Sequence, residues 1–201
     1  MSRALLPRRA PAAILDPIVR VLASAGVSPA ALTTAGFLGN VLAAVFVARG
    51  DFLVGGIFVL FFSALDMLDG ALARSTGRAS RFGALYDSVL DRVSEAVVLF
   101  GLAWWAIETG RDTEALLAFA AVVGSLMVSY VRARAEGLGL ALKDGLFTRS
   151  ERVVLTGVAL IIGFVTAALW ALAVLTLFTA AQRTWIAARM LLEEDAPKGG
   201  R

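Results

Sequence analysis

Asp66, Asp69, Asp87 and Asp91 are the residues of this chain best suited to chemistry. Asp66 and Asp69 are three apart and Asp87 and Asp91 four apart, so on helices the members of each pair share a face, with about 5–6 Å between β-carbons. The chain has no cysteine and no histidine, which excludes thiol nucleophiles, disulfides, Cys/His zinc sites and imidazole bases together. Oxygen-only ligands select hard cations, Mg²⁺ first and then Mn²⁺ or Ca²⁺. Four carboxylates are more than one Mg²⁺ usually takes from protein, which argues for two ions. Two metals about 3.5–4 Å apart are a recurrent arrangement for displacement at phosphorus. The plain alternative is that the four acids form ion pairs with Arg74, Arg78, Arg81 and Arg92.

Small residues stand among these acids. Gly70, Ala71 and Ala73 follow the first pair, and Gly83 lies one turn before Asp87. Side chains this small let a bulky polar ligand approach the backbone, although each alone fits close helix packing equally well. Together with Arg74 they suggest a nucleotide diphosphate.

The elements that must position these residues follow from composition. Of 201 residues, 59% are hydrophobic and only 17% charged, against about 25% charged in soluble domains, and the mean hydropathy is +0.79. An all-α integral membrane protein is expected. The net charge of +3 reads as cytoplasmic loops meeting anionic membrane lipids, with no nucleic-acid partner. Residues 1–29 should form a cytoplasmic N-terminus with a short interfacial amphipathic helix, because Ile14, Leu15, Ile18, Val19 and Leu22 recur at helical spacing. A helix packed on the rest of the protein fits that pattern as well. Residues 30–190 should hold six transmembrane helices, at about 30–48, 52–71, 82–107, 114–134, 153–167 and 168–188, and 191–201 a cytoplasmic tail. Ser28 is placed as an N-cap with Pro29 in the first turn. In this layout 17 of the 19 Lys and Arg residues fall on one side, leaving Arg49 and Arg111 on the other. That asymmetry predicts both termini inside a plasma or inner membrane, multi-pass, with the acids facing the cytoplasm.

The spacing Asp66-x2-Asp69-Gly70-x2-Ala73-Arg74-x8-Gly83-x3-Asp87-x3-Asp91 fills 8 fixed positions across 26 residues. It resembles the signature of the CDP-alcohol phosphotransferase family. The resemblance implies a membrane enzyme that moves a substituted phosphate from a CDP-linked donor, usually CDP-diacylglycerol, to an alcohol, with release of CMP. It implies that Asp66, Asp69 and Asp87 hold two metals, that Asp91 completes the second site and acts as base, and that Gly70, Ala73, Arg74 and Gly83 line the CDP pocket. A homodimer is implied too. One departure is that the Pro-Asn common before the first span reads Pro29-Ala30 here, with Thr33 retained.

Ser129-Tyr130-Val131-Arg132-Ala133-Arg134-Ala135-Glu136, Arg149-Ser150-Glu151-Arg152 and Gln182-Arg183 resemble the phosphatidylinositol-phosphate synthases of the family. The resemblance implies that Ser129, Arg132, Arg152 and Arg183 hold the phosphate of a phosphorylated alcohol acceptor, inositol phosphate ahead of glycerol 3-phosphate. Arg132 stands where those synthases have lysine, which keeps the charge and alters the geometry. Individually these arginines also fit snorkelling toward anionic headgroups. Glu95 is expected to pair with a neighbouring span. A cation or proton transporter is the rival of a different class, since intramembrane carboxylates also line ion paths. The acids near one face and the lack of an inverted repeat count against it.

Overall fold

The computed structural model describes residues 12–142 and 147–195, with side chains from Asp16 onward. Arg3, Arg8, Arg9, Lys143, Lys198 and Arg201, all counted on the cytoplasmic side above, lie outside the described residues. So do the start of the amino-terminal segment and the end of the tail. Among the described residues there are eight helices: α1 (Ala12–Ser24), α2 (Pro29–Ala48), α3 (Phe52–Asp66), α4 (Asp69–Ser75), α5 (Arg81–Glu108), α6 (Asp112–Gly137), α7 (Arg149–Ile162) and α8 (Val165–Asp195).

Local chemistry sets most of these boundaries. The Ser28 hydroxyl accepts from Ala31 N, and Pro29 occupies the first helical position of α2, where its missing N–H costs nothing. Ser80 caps α5 by accepting from Gly83 N, and Thr148 with Glu151 forms a capping box that opens α7. The weak separation expected within 163–170, between spans of about 153–167 and 168–188, falls at the start of that range. Gly163 ends α7 in the left-handed conformation, φ 80°, which glycine adopts without steric cost, and Phe164 N closes the turn on Ala159 O at 2.9 Å.

Six spans were expected. Among the described residues, four stretches are long and apolar enough to cross a membrane: Pro29–Ala48, Phe52–Ser75, Asp112–Gly137 and Val165–Asp195. The other two candidates fall short for physical reasons. α5 has the length, at 28 residues, but carries Asp87, Asp91, Arg92 and Glu95 in one half, and α7 has only 14 residues. The second expected span also does not run unbroken to Ala71, because the chain turns at Met67 and Leu68 and restarts as α4.

α2 packs on α3 and α5, α3 on α7, α5 on α6, and α6 on α8. Their shared core includes Ala43, Val47, Leu99, Leu102, Ala118, Leu160, Leu169 and Leu172, all buried. A second cluster joins Val19 of α1 to Leu32, Leu68 and Leu72, so α1 rests on the helices that carry the first acid pair. Ile18 and Val21 of α1 stay exposed.

Glycine lets these helices approach closely. A β-carbon on Gly101 would lie 2.6 Å from the Ala44 carbonyl oxygen, and one on Gly56 would lie 2.7 Å from that of Gly157. Without a strong hydrophobic drive between helices in lipid, such small-residue contacts carry much of the association. Gly101→Val should therefore lower stability by about 1–3 kcal/mol through overpacking against backbone. Gly137→Ala, where nothing lies within 4 Å, should be neutral or stabilising. Thermal unfolding of both variants in detergent checks the contrast.

Candidate active site

α3 ends on Asp66 and α4 begins on Asp69, so the break at Met67 and Leu68 delivers both carboxylates to one place. α5 brings Asp87 alongside. One carboxylate oxygen from each of Asp66, Asp69 and Asp87 lies within 4.8 Å of the other two, a spacing able to hold a metal ion. Asp66 and Asp69 are each only 7% exposed, too buried to rely on water for compensation. The Thr33 hydroxyl, one turn into α2, donates to Asp69 Oδ2.

Asp91 stands one turn further along α5, outside that group of three. Its Oδ1 is 2.7 Å from Arg149 Nη1, while Arg149 Nη2 donates to Asp66 Oδ2 at 3.2 Å. Arg149 thus bridges the acid that ends α3 and the last acid of the motif. Of the four arginines considered as ion-pair partners, only Arg92 reaches an acid among the described residues, at 3.9 Å from Asp91. Arg149 was not among them. Its signal lay in the Thr148-x-x-Glu151 capping pattern, which starts a helix there and sets Arg149 and Arg152, three apart, on one face.

A cavity of about 240 Å³ opens beside Asp69 and Asp87. Gly70, Ala73, Arg74 and Gly83, the four residues assigned to the nucleotide, all line it, with Pro29, Ala30, Arg78, Ser80 and Tyr86. A β-carbon on Gly70 would come within 3.3 Å of Arg74 Nη1, so the glycine leaves the guanidinium room. Tyr86, absent from the motif, reaches Thr34 Oγ1 at 3.0 Å.

The four residues assigned to the acceptor divide. Arg132 and Arg183 line one cavity of about 390 Å³ together with Leu140, Leu142 and Thr148. Arg132 is exposed and pairs with Glu136 at 2.9 Å, and Arg183 is buried and donates to Val128 O at 2.8 Å. Ser129 sits half-buried on α6, one turn before Arg132. Arg152 is elsewhere: 2% exposed, it binds both Glu95 oxygens, Nη2 at 2.7 Å, and reaches Phe147 O at 3.3 Å. Glu95 does pair with a neighbouring helix, and its partner is an arginine assigned to substrate.

A model of the CDP-alcohol phosphatidyltransferase family matches residues 26–185. The chain belongs to that family. A phosphatidylinositol phosphate synthase of Mycobacteroides abscessus is 40% identical over 188 residues, covering 89% of this chain and 86% of its own. The fold matches the crystal structure of the Mycobacterium tuberculosis phosphatidylinositol phosphate synthase with CDP-DAG bound, at a TM-score of 0.81 and 32% identity over 87% of this chain and 94% of that one. The same synthase in complex with manganese and citrate matches at a TM-score of 0.78 and 34% identity, covering 87% and 88%. As a CDP-alcohol phosphatidyltransferase, this chain is a multi-pass membrane enzyme of phospholipid biosynthesis, and its three converging aspartates suit a divalent metal.

The Glu95–Arg152 pair is the deepest ionic contact at the site. Removing one partner of a buried pair strands the other charge, at a cost of about 3–5 kcal/mol. Glu95→Ala should therefore lower the unfolding temperature sharply in detergent. The double variant Glu95→Leu/Arg152→Met should regain most of that loss.

Proposed function

We propose that this protein transfers the phosphatidyl group of CDP-diacylglycerol to a hydroxyl of a phosphorylated polyol, inositol phosphate, and releases CMP. The observation that carries this reading is the convergence of Asp66, Asp69 and Asp87 at the end of a cavity lined by Gly70, Ala73, Arg74 and Gly83. The named activity of the mycobacterial relatives supports it.

The residues fit divalent ions: the donor set is all oxygen, buried and closely spaced. Asp66, Asp69 and Asp87 would hold Mg²⁺, with Mn²⁺ a substitute, and Asp91 would complete a second site. Bound there, the two ions would neutralise the diphosphate and stabilise charge developing on the transferred phosphorus.

The chain's own residues supply the rest. Arg74, a donor at the cavity wall, orients the diphosphate. Asp91 accepts the proton of the acceptor hydroxyl, which must come within about 3 Å of the carboxylate. The acceptor oxygen forms its bond to the phosphorus that carries diacylglycerol, and the bond from that phosphorus to the CMP oxygen breaks. Arg149, held on Asp91 and Asp66, keeps the base and a metal-binding acid in register.

Arg132 and Arg183, sharing a cavity, would take the acceptor's phosphate, since guanidinium binds phosphate through a bidentate fork. Ser129 would assist from the same helix as Arg132. Arg152 in this reading acts from beneath, through Glu95. The reaction would take place at the cytoplasmic face of the plasma membrane, in a homodimer.

Purified protein in lipid, labelled CDP-diacylglycerol and a panel of inositol phosphate, free inositol and glycerol 3-phosphate test reaction and acceptor together. The expected result is Mg²⁺-dependent CMP release that is fastest with inositol phosphate and reduced about 10²–10⁴-fold in Asp91→Ala. Release that is equally fast with free inositol would refute the anion pocket, and cation flux without CMP release would favour a transporter. Arg132→Ala should raise the KM for the phosphorylated acceptor about 10–100-fold and leave that of the CDP donor in place.

A further inference from the structure

Tyr86 lies on α5 between Gly83 and Asp87, and no fixed position of the motif includes it. Its side chain lines the cavity assigned to the nucleotide. Its ring stacks on Phe82 at 5.9 Å with planes 19° apart, which restrains the phenol.

Thr34 has a single hydroxyl hydrogen and donates it to Ala30 O at 2.7 Å. At the 3.0 Å contact between Thr34 Oγ1 and Tyr86 Oη, Tyr86 is therefore the donor. With its own hydrogen committed, the phenol oxygen can offer only lone pairs to anything else. Elsewhere on the wall the Thr33 hydroxyl lies between Asp69 and Pro29 O, Ser80 Oγ accepts from Gly83 N and keeps its own hydrogen to give, and Arg74 and Arg78 have no acceptor atoms.

A nucleotide with its diphosphate over Asp69 and Asp87 must place its base in the rest of this cavity, between the first turn of α2 and α5. We propose that Tyr86 reads that base. Its oxygen accepts a hydrogen bond from the exocyclic amino group of cytosine, and it faces uracil's carbonyl at the same position with acceptor against acceptor. This rests on the CDP-donor reading above and adds the residue that sets base identity. It also gives the first turn of α2, where Ala30 carries no amide, a hydrogen-bonding neighbour within the cavity.

The test compares CDP-diacylglycerol with its uridine counterpart at saturating acceptor, and binding of free CDP with free UDP by calorimetry. Wild type should prefer cytosine in both. Tyr86→Phe keeps the ring and removes the oxygen. It should raise the KM for the cytidine donor roughly 5- to 10-fold, with kcat and the acceptor's KM little changed, and shrink the preference by the same factor. Thr34→Val releases the phenol hydrogen to face a carbonyl, so it should shrink the preference from the other side, by raising kcat/KM for the uridine donor. The assignment is overturned if Tyr86→Phe keeps the wild-type preference. It is also overturned if both variants raise the cytidine donor's KM alike, the signature of a lost tie between α2 and α5. Wild type that binds neither nucleotide sinks the donor reading and this assignment with it. Wild type that binds CDP while Tyr86→Phe discriminates unchanged sinks this assignment alone.

Discussion

Buried negative charge is the constraint on which the rest of this structure depends. Asp66, Asp69, Asp87 and Asp91 crowd one end of an apolar helix bundle, and carboxylates so placed need cations or donors close by. The protein supplies some compensation of its own. Arg149 reaches two of the acids and Thr33 a third, while Asp66, Asp69 and Asp87 retain oxygens facing one another at metal-binding distance. A site only partly neutralised by its own side chains favours the cation it is built to take.

Arg149 can do this because of how α7 begins. The capping box of Thr148 and Glu151 fixes the first turn, and two arginines three apart then emerge on one face. One crosses to Asp66 and Asp91 and the other to Glu95. Since Asp66 ends α3 while Asp91 and Glu95 lie one turn apart on α5, the short α7 clamps the two acid-bearing helices together. Burying the Glu95–Arg152 pair is expensive on its own account. Its use is geometric, as it fixes where Arg149 can stand.

The sequence reading was strongest where chemistry and spacing coincide. The four aspartates, Gly70, Ala73, Arg74 and Gly83 could be singled out because polar or very small residues at fixed intervals stand out in an apolar chain. The helix start at Ser28 was legible in the same way, through its hydroxyl cap, whereas the cap at Ser80 emerged only with the fold. What the sequence hid were contacts between residues distant along the chain. Arg149 looks like any membrane-edge arginine until α7 is folded against α3. Arg152 matches a substrate-binding pattern, yet it packs on Glu95, a pairing anticipated from the glutamate's side alone. The end of α7 could be placed only within 163–170 because no charged residue interrupts the run from 153 to 181, and the left-handed backbone of Gly163 marks where it divides. Tyr86 carried no signal until Thr34 and Ala30 were found beside it.

The shortness of α3 has a consequence of its own. Its 15 residues rise about 22 Å, whereas the hydrocarbon of a typical bilayer is about 30 Å thick. The stretch long enough to cross, Phe52–Ser75, therefore includes the break at Met67 and Leu68 and both acids beside it. Asp66 and Asp69 flank an interruption inside an otherwise apolar crossing stretch, and irregular backbone at membrane depth is tolerated only where protein buries it or where it lines a water-filled cavity. The turn that gathers the acids thus also obliges this part of the bundle to stay shielded from lipid tails.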